Sequence, residues 1–193
     1  MAAHLIGRTV LALLAVGLLA GCVASARPHT EGSIALDDAG APTRLFLVRH
    51  AEKEPGEDPA LTPAGEARAD ALAERLAAEG VTAIWSTPTR RTQSTARPLA
   101  DMLQLPVQIY DAARLPDFAR QLSEALGVIL VVGHSNTTDR LAGLLGADPG
   151  PPIDEAAEFD RLYAIVLPDD GPVTSEIQRF GQPASLAAEE AAQ

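Results

Sequence analysis

Residues 128–133, VILVVG, are as continuously apolar as any stretch of the chain beyond its first two dozen residues. A strand of that composition is stable only if both its faces are covered, as in a parallel sheet sandwiched between helices. Arg44 to Arg49 (RLFLVR) reads as a second buried strand of the same kind. Helical patterns alternate with the strands. In LTPAGEARADALAERLAAEG, Thr62 is placed to cap a helix that starts at Pro63, Leu72 and Leu76 share a stripe with Ala69 and Ala73, and Gly80 is a stop. VTAIW (81–85) and PVQIY (106–110) are short strands flanking RRTQSTARPLADMLQ, a helix that Pro98 is expected to kink. A helix over 117–126 ends at Gly127, another covers 137–145, and RLYAIVLP and VTSEIQRF joined by DDG form a hairpin. The expected fold is a three-layer α/β/α sandwich with a mostly parallel central sheet and an antiparallel pair of strands near the C-terminus.

The first 22 residues, MAAHLIGRTVLALLAVGLLAGC, stand apart from that pattern. Arg8 precedes a short apolar core, Val10 to Leu19, which is the layout of a secretory leader and falls short of the roughly 20 apolar residues of a membrane span. Leu19 to Cys22 (LAGC) resembles the lipobox of bacterial lipoproteins, which implies cleavage before Cys22 and a lipid on its sulfur. Cys22 is the sole cysteine, so no internal disulfide can form. Val23, where an Asp would signal inner-membrane retention, implies the outer membrane. The expected organisation is a signal peptide over 1–21, a lipidated Cys22 and flexible tether over 22–43, one domain over 44–180, and a disordered tail over 181–193. The domain would face the periplasm from a lipid anchor in the cell envelope.

A formal charge of −11, or −12 once Arg8 is removed with the leader, argues against nucleic acid as a partner, because that function needs a basic face to displace counterions. An anion site in this chain must be built locally. Three segments supply the material, each following a strand at the carboxyl edge where ligands of α/β sheets collect: Arg49 and His50, Ser86 to Arg91, and His134 to Asn136. Guanidinium groups bind phosphate with paired hydrogen bonds, and the start of the helix after Gly133 offers free backbone N–H groups, including those of Ser135 and Asn136. A neutral histidine can attack phosphorus to give a phosphohistidine, splitting one hydrolysis into two displacements.

VRHAEK, LTPAGEARADALA, STPTRRTQSTA and VVGHSNT, in that order between Arg44 and Phe180, resemble the histidine phosphatase superfamily, especially its small phosphohistidine-phosphatase-like branch. Ala51 stands where the family has glycine. The resemblance implies His50 as nucleophile, Arg49 as a phosphate ligand, Arg91 as the second arginine, three residues after the proline and four before the threonine Thr95, and His134 as the second pocket histidine, with Ser135 and Asn136 beside it. For the proton donor it points to Asp111, with Asp117 and Glu52 as other possibilities. Arg90 is read as a solvated helix residue; Phe159, Asp160 and Arg161 lie in the loop before the last strands, where they could border the substrate mouth, and are read as structural.

The resemblance implies no cofactor. No metal site is expected, since the histidines are 84 residues apart and no close-spaced ligand pair accompanies them. The expected activity is metal-independent hydrolysis of a phosphorylated small molecule or phosphoprotein. The competing function is a non-catalytic phosphate-binding module on the same fold. Only 41 positions separate His50 from Arg91 and 43 separate Arg91 from His134. That leaves no room for large substrate-covering insertions, so the mouth should be open and specificity should lie in loops 54–61, 111–117 and 147–160.

Overall fold

A computed structural model describes residues 41–183. The signal peptide, the lipidated Cys22, most of the tether and nearly all of the tail lie outside these residues. The described part contains β1 (Thr43–Arg49), α1 (Pro63–Leu76), β2 (Ala83–Ser86), α2 (Arg90–Leu103), β3 (Val107–Ile109), a short 3₁₀ turn (Ala112–Arg114), α3 (Leu115–Ser123), β4 (Val128–Gly133), α4 (Ser135–Leu144), β5 (Arg161–Leu167) and β6 (Thr174–Arg179). The strands form one six-stranded sheet in the order β3-β2-β4-β1-β5-β6. Strands β3, β2, β4 and β1 run parallel, while β5 lies antiparallel to β1 and β6 antiparallel to β5. The expected sandwich is therefore the observed one, with VILVVG as an interior strand.

Alternation along the strands divides the core. Leu45, Leu47, Ile129 and Val131 face one cluster with Leu122, Leu141 and Tyr163, whereas Phe46, Val48, Leu130 and Val132 face the other with Leu72, Leu76 and Leu99. Helices α3 and α4 cover the first face and α1 and α2 the second. Thr62 caps α1 as expected, accepting a hydrogen bond from the Gly65 N–H at 3.1 Å. Helix α2 continues through Pro98 as one 14-residue element. It ends at Gln104 in the left-handed conformation, whose N–H bonds back to the last turn.

Two details differ from the sequence reading. The first strand begins at Thr43, inside the expected tether, because its buried hydroxyl donates to the Ala125 carbonyl at 2.5 Å. Helix α4 starts at Ser135, two residues early, with Thr137 Oγ1 accepting from the His134 N–H at 3.0 Å.

An ion pair invisible in the sequence closes the α1 face. Arg68 is 4% exposed and donates through Nε and Nη2 to both oxygens of Glu52, with contacts of 2.6–3.0 Å. Its Nη1 reaches the carbonyls of Phe180 and Gln182 at 3.1 and 2.9 Å. The exit of β1, helix α1 and the end of the domain are thereby joined by one side chain. Gly65 lets the helix approach this closely, since a Cβ there would stand 2.1 Å from the Glu52 carbonyl oxygen.

Removing one partner of a buried pair leaves a desolvated charge, which typically costs about 3–5 kcal/mol. Urea unfolding of Arg68→Met should show a loss in that range, and a loss under about 1 kcal/mol would mean that the pair is incidental.

Candidate active site

The two strands that end at the site are neighbours in register, with Arg49 opposite Gly133, so the residues that follow them, His50 and His134, emerge side by side. Their ring centroids are 5.5 Å apart in an edge-on arrangement. With Lys53, Arg91, Ser135, Asn136 and Glu155 they line a pocket of about 350 Å³. Of the residues expected at the site, the structure brings His50, Arg91, His134, Ser135 and Asn136 together there.

His50 is 4% exposed and held on three sides. Its backbone N–H donates to the Gly133 carbonyl at 2.9 Å. Its Nδ1 lies 2.8 Å from the Ala51 carbonyl oxygen. A carbonyl can only accept, so Nδ1 carries the proton and Nε2 keeps its lone pair. The Ala51 N–H in turn donates to Thr95 Oγ1 at 3.0 Å, and that hydroxyl donates to the Arg91 carbonyl at 2.8 Å. Thr95 thus ties Ala51, whose carbonyl orients the His50 ring, to the helix that carries Arg91. The Ala51 methyl packs with Leu61 and Ala69.

Burial pushes the His50 pKa down to about 3, against the opposing hydrogen bond to Ala51 and with smaller help from Arg49, His134 and Arg91. His134 is pushed down to about 4 by burial, Arg91 and Arg49. Both rings are neutral near pH 7. His134 Nε2 lies 3.0 Å from Thr87 Oγ1 and its Nδ1 lies 3.4 Å from Arg91 Nη2. Arginine only donates, so the neutral ring carries its proton on Nε2 and directs it to Thr87.

The arginines differ in their engagement. Arg49 Nη1 donates to the carbonyls of Asp154 and Glu158 at 3.1 and 3.0 Å, and Nη2 to that of Glu155 at 2.8 Å. Its guanidinium stacks 4.1 Å over the Phe159 ring, which itself lies 6.3 Å from His50. Arg49 therefore anchors the loop before β5, and its Nε N–H and the second N–H of Nη2 are left for another ligand. The Nε atoms of Arg49 and Arg91 are both buried without a partner among the described residues. Buried N–H donors in native proteins are nearly always satisfied, so these two, near the two histidines, are suited to donate to an anion.

The proposed proton donors fall elsewhere. Asp111 follows β3, the edge strand three positions from β1, or roughly 14 Å at 4.8 Å per strand. Its carboxylate accepts from the Ala113 N–H at 2.9 Å as a turn cap. Asp117 is an exposed bridge between Arg114 and Arg120. Glu52 is bound to Arg68. Arg90 is exposed, as expected.

Of the pocket residues, the sequence reading did not single out Lys53 or Glu155, and Phe159, weighed there as structural or at the substrate mouth, shares a loop with Glu155. The loop that carries them is held by Arg161, 4% exposed, which pairs with Glu158 at 2.7–2.8 Å and donates to the Pro151 carbonyl at 2.7 Å. Arg161 is thus structural, as read, whereas Phe159 stands against Arg49 and His50. On the outer side of the loop lies a larger cavity of about 1100 Å³, walled in part by Glu54, Pro63 and Phe159. Among the described residues no group of three or more His, Cys, Asp or Glu side chains is disposed to hold a metal ion.

Residues 45–118 match the model of the histidine phosphatase superfamily, branch 1. The match covers 74 of the chain's 193 residues. The match contains Arg49, His50 and Arg91 and ends before His134, which the fold then brings to the first histidine. A candidate phosphoserine phosphatase 2 of Hydrogenobacter thermophilus is 41% identical over 68 residues, or 31% of this chain and 34% of that protein. The chain thus spans about a third of the length of that curated relative. Among solved structures, the protein histidine phosphatase SixA complexed with tungstate superposes with a TM-score of 0.56 at 19% identity, over 74% of this chain and 99% of that one. A mycobacterial glucosyl-3-phosphoglycerate phosphatase superposes with a TM-score of 0.57 at 15% identity, over 72% of this chain and all of the other. These likenesses show a shared fold.

Depressed histidine pKa values have a thermodynamic consequence. The unfolded chain takes up protons near pH 6.5 while the folded rings do not until about 3 and 4, so stability is lost as pH falls below 6.5. The urea midpoint should be level above about pH 7 and decline between 6.5 and 5, with a shallower decline in His50→Gln. Equal slopes in the two proteins over that window would show that His50 is not held neutral by burial.

Proposed function

We propose that this domain is a phosphohydrolase that works through a covalent phosphohistidine on His50, without a metal step. The observation that carries the reading is the His50 ring, neutral, with Nδ1 held by the Ala51 carbonyl and Nε2 free, in a pocket shared with Arg91 and His134. The match of residues 45–118 to the superfamily model and the phosphatase names of the similar proteins support it.

In the first displacement Nε2 attacks phosphorus and the leaving oxygen departs on the opposite side. Arg91, the free Nε of Arg49 and the N–H groups at the start of α4 would hold the equatorial oxygens. A bound phosphate dianion raises the pKa of His134 beside it, so that ring can take a proton and donate to the anion. Water then attacks phosphorus and returns His50. The substrate is a phosphoester or phosphoramidate borne by a small molecule or a protein.

The Cys22 reading adds a location. A lipid on that sulfur would hold the domain at the periplasmic face of the envelope, in the outer membrane by the Val23 reading. The LAGC tetrapeptide and the apolar stretch before it support this. Replacement of Cys22 by Ser should release the protein from the membrane fraction, and continued membrane retention would remove the lipoprotein reading.

The catalytic reading is tested with the full chain in detergent, incubated with a panel of phosphoesters and phosphoramidates and quenched in alkali, where phosphohistidine survives. Turnover and a trapped phosphoenzyme are expected in the wild type, both absent from His50→Ala. In Arg91→Ala kcat/KM should fall on the order of 10²- to 10³-fold, the usual consequence of removing one well-placed donor. Phosphate binding without turnover or label on any compound would instead favour the non-catalytic binding module.

A further inference from the structure

A leaving alkoxide needs a proton, and the three carboxylates that the sequence offered are a turn cap, an exposed arginine bridge and half of a buried ion pair. We propose that Glu155 is the proton donor, an assignment that rests on the phosphohydrolase reading of the same site. Glu155 supplies the one carboxylate among the residues lining the pocket with His50, Arg91 and His134. Its carboxylate has no ion-pair or hydrogen-bond partner among the described residues, so its side chain is free to meet a substrate.

The backbone that carries it is fixed by the site itself. Arg49, the residue before the nucleophile, donates from Nη2 to the Glu155 carbonyl at 2.8 Å and from Nη1 to the carbonyls on either side, Asp154 and Glu158. Phe159 stacks on the same guanidinium. Among the carboxylates that favour the charged form of Arg49, Glu155 acts most strongly. The loop is closed from outside by the pair between Arg161 and Glu158. A free acid on a braced backbone, lining the same pocket as His50, is placed to serve a leaving group there.

The chemistry balances. As Nε2 of His50 bonds to phosphorus and the P–O bond to the leaving group breaks, the departing oxygen takes the proton of the Glu155 carboxylic acid. The carboxylate so formed then accepts a proton from water as the water oxygen bonds to phosphorus. The P–N bond breaks, its electron pair returns to Nε2, and Glu155 is again protonated. Lys53, the other titratable group at the rim, is free to attract the substrate anion and need not enter these steps.

The test is a leaving-group series on the full chain: p-nitrophenyl phosphate, phenyl phosphate and an alkyl monophosphate. In Glu155→Gln, kcat/KM for the alkyl ester should fall on the order of 10²- to 10⁴-fold, the usual range for general acid catalysis. The nitrophenyl ester, whose leaving group needs no proton, should change by only a few fold. Glu155→Asp should recover part of the loss on the alkyl ester, and the urea midpoints of both variants should match the wild type, since Glu155 is exposed. A loss that is equal across the series, or no loss at all, overturns the assignment while leaving the phosphohydrolase intact. So does a leaving-group-dependent loss that appears in Asp111→Asn and not in Glu155→Gln. A wild type that neither turns over any ester nor forms a phosphoenzyme overturns the parent reading and this assignment with it.

Discussion

The site depends on one buried hydrogen bond, from His50 Nδ1 to the carbonyl of the next residue. It sets the tautomer, fixes the ring plane and leaves Nε2 as the available lone pair. Burial alone would drive the ring neutral without orienting it. The same residue is held through its N–H by Thr95, whose hydroxyl also bonds the carbonyl of Arg91, so His50 and Arg91 share one rigid connection. Such coupling matters because reactivity in displacement chemistry falls steeply with small misplacements.

Electrostatics follow from the same burial. Both histidines are pushed far below their ordinary pKa, so the fixed positive charge of the cavity comes from arginine, which stays ionised. In a chain of net charge −11 this is a local inversion of sign, built from a few residues at strand and helix ends. Arg49 contributes in two ways. Its terminal nitrogens and aromatic contact hold the loop of residues 154–159, and its Nε is left without a protein partner. The loop is thereby mechanically linked to the residue next to the nucleophile.

Much of this was legible in the residues. The continuous apolar runs of β1 and β4 require a doubly covered parallel sheet, and both are followed at once by histidine, so the pairing of His50 with His134 needed only that those strands be neighbours. What the linear order did not contain was the strand order beyond them. Asp111 follows a strand at the correct edge of the sheet, but that strand, β3, lies three positions from β1. Phe159 and Glu155 lie far along the chain, yet β5 returns beside β1 and brings their loop over Arg49. Arg68 looked like any charged residue of an amphipathic helix. Its burial arises because Gly65 allows α1 to touch the β1 exit, a contact that no periodicity encodes.

The most direct measurement is the position of the phosphoryl group. Phosphoenzyme trapped in alkali can be digested and its phosphopeptide assigned by phosphorus–proton correlated NMR, which distinguishes the two ring nitrogens. The hydrogen bond from Nδ1 to Ala51 predicts a single modification, on Nε2 of His50. Phosphoryl on Nδ1 of that ring, or on His134, would contradict the account.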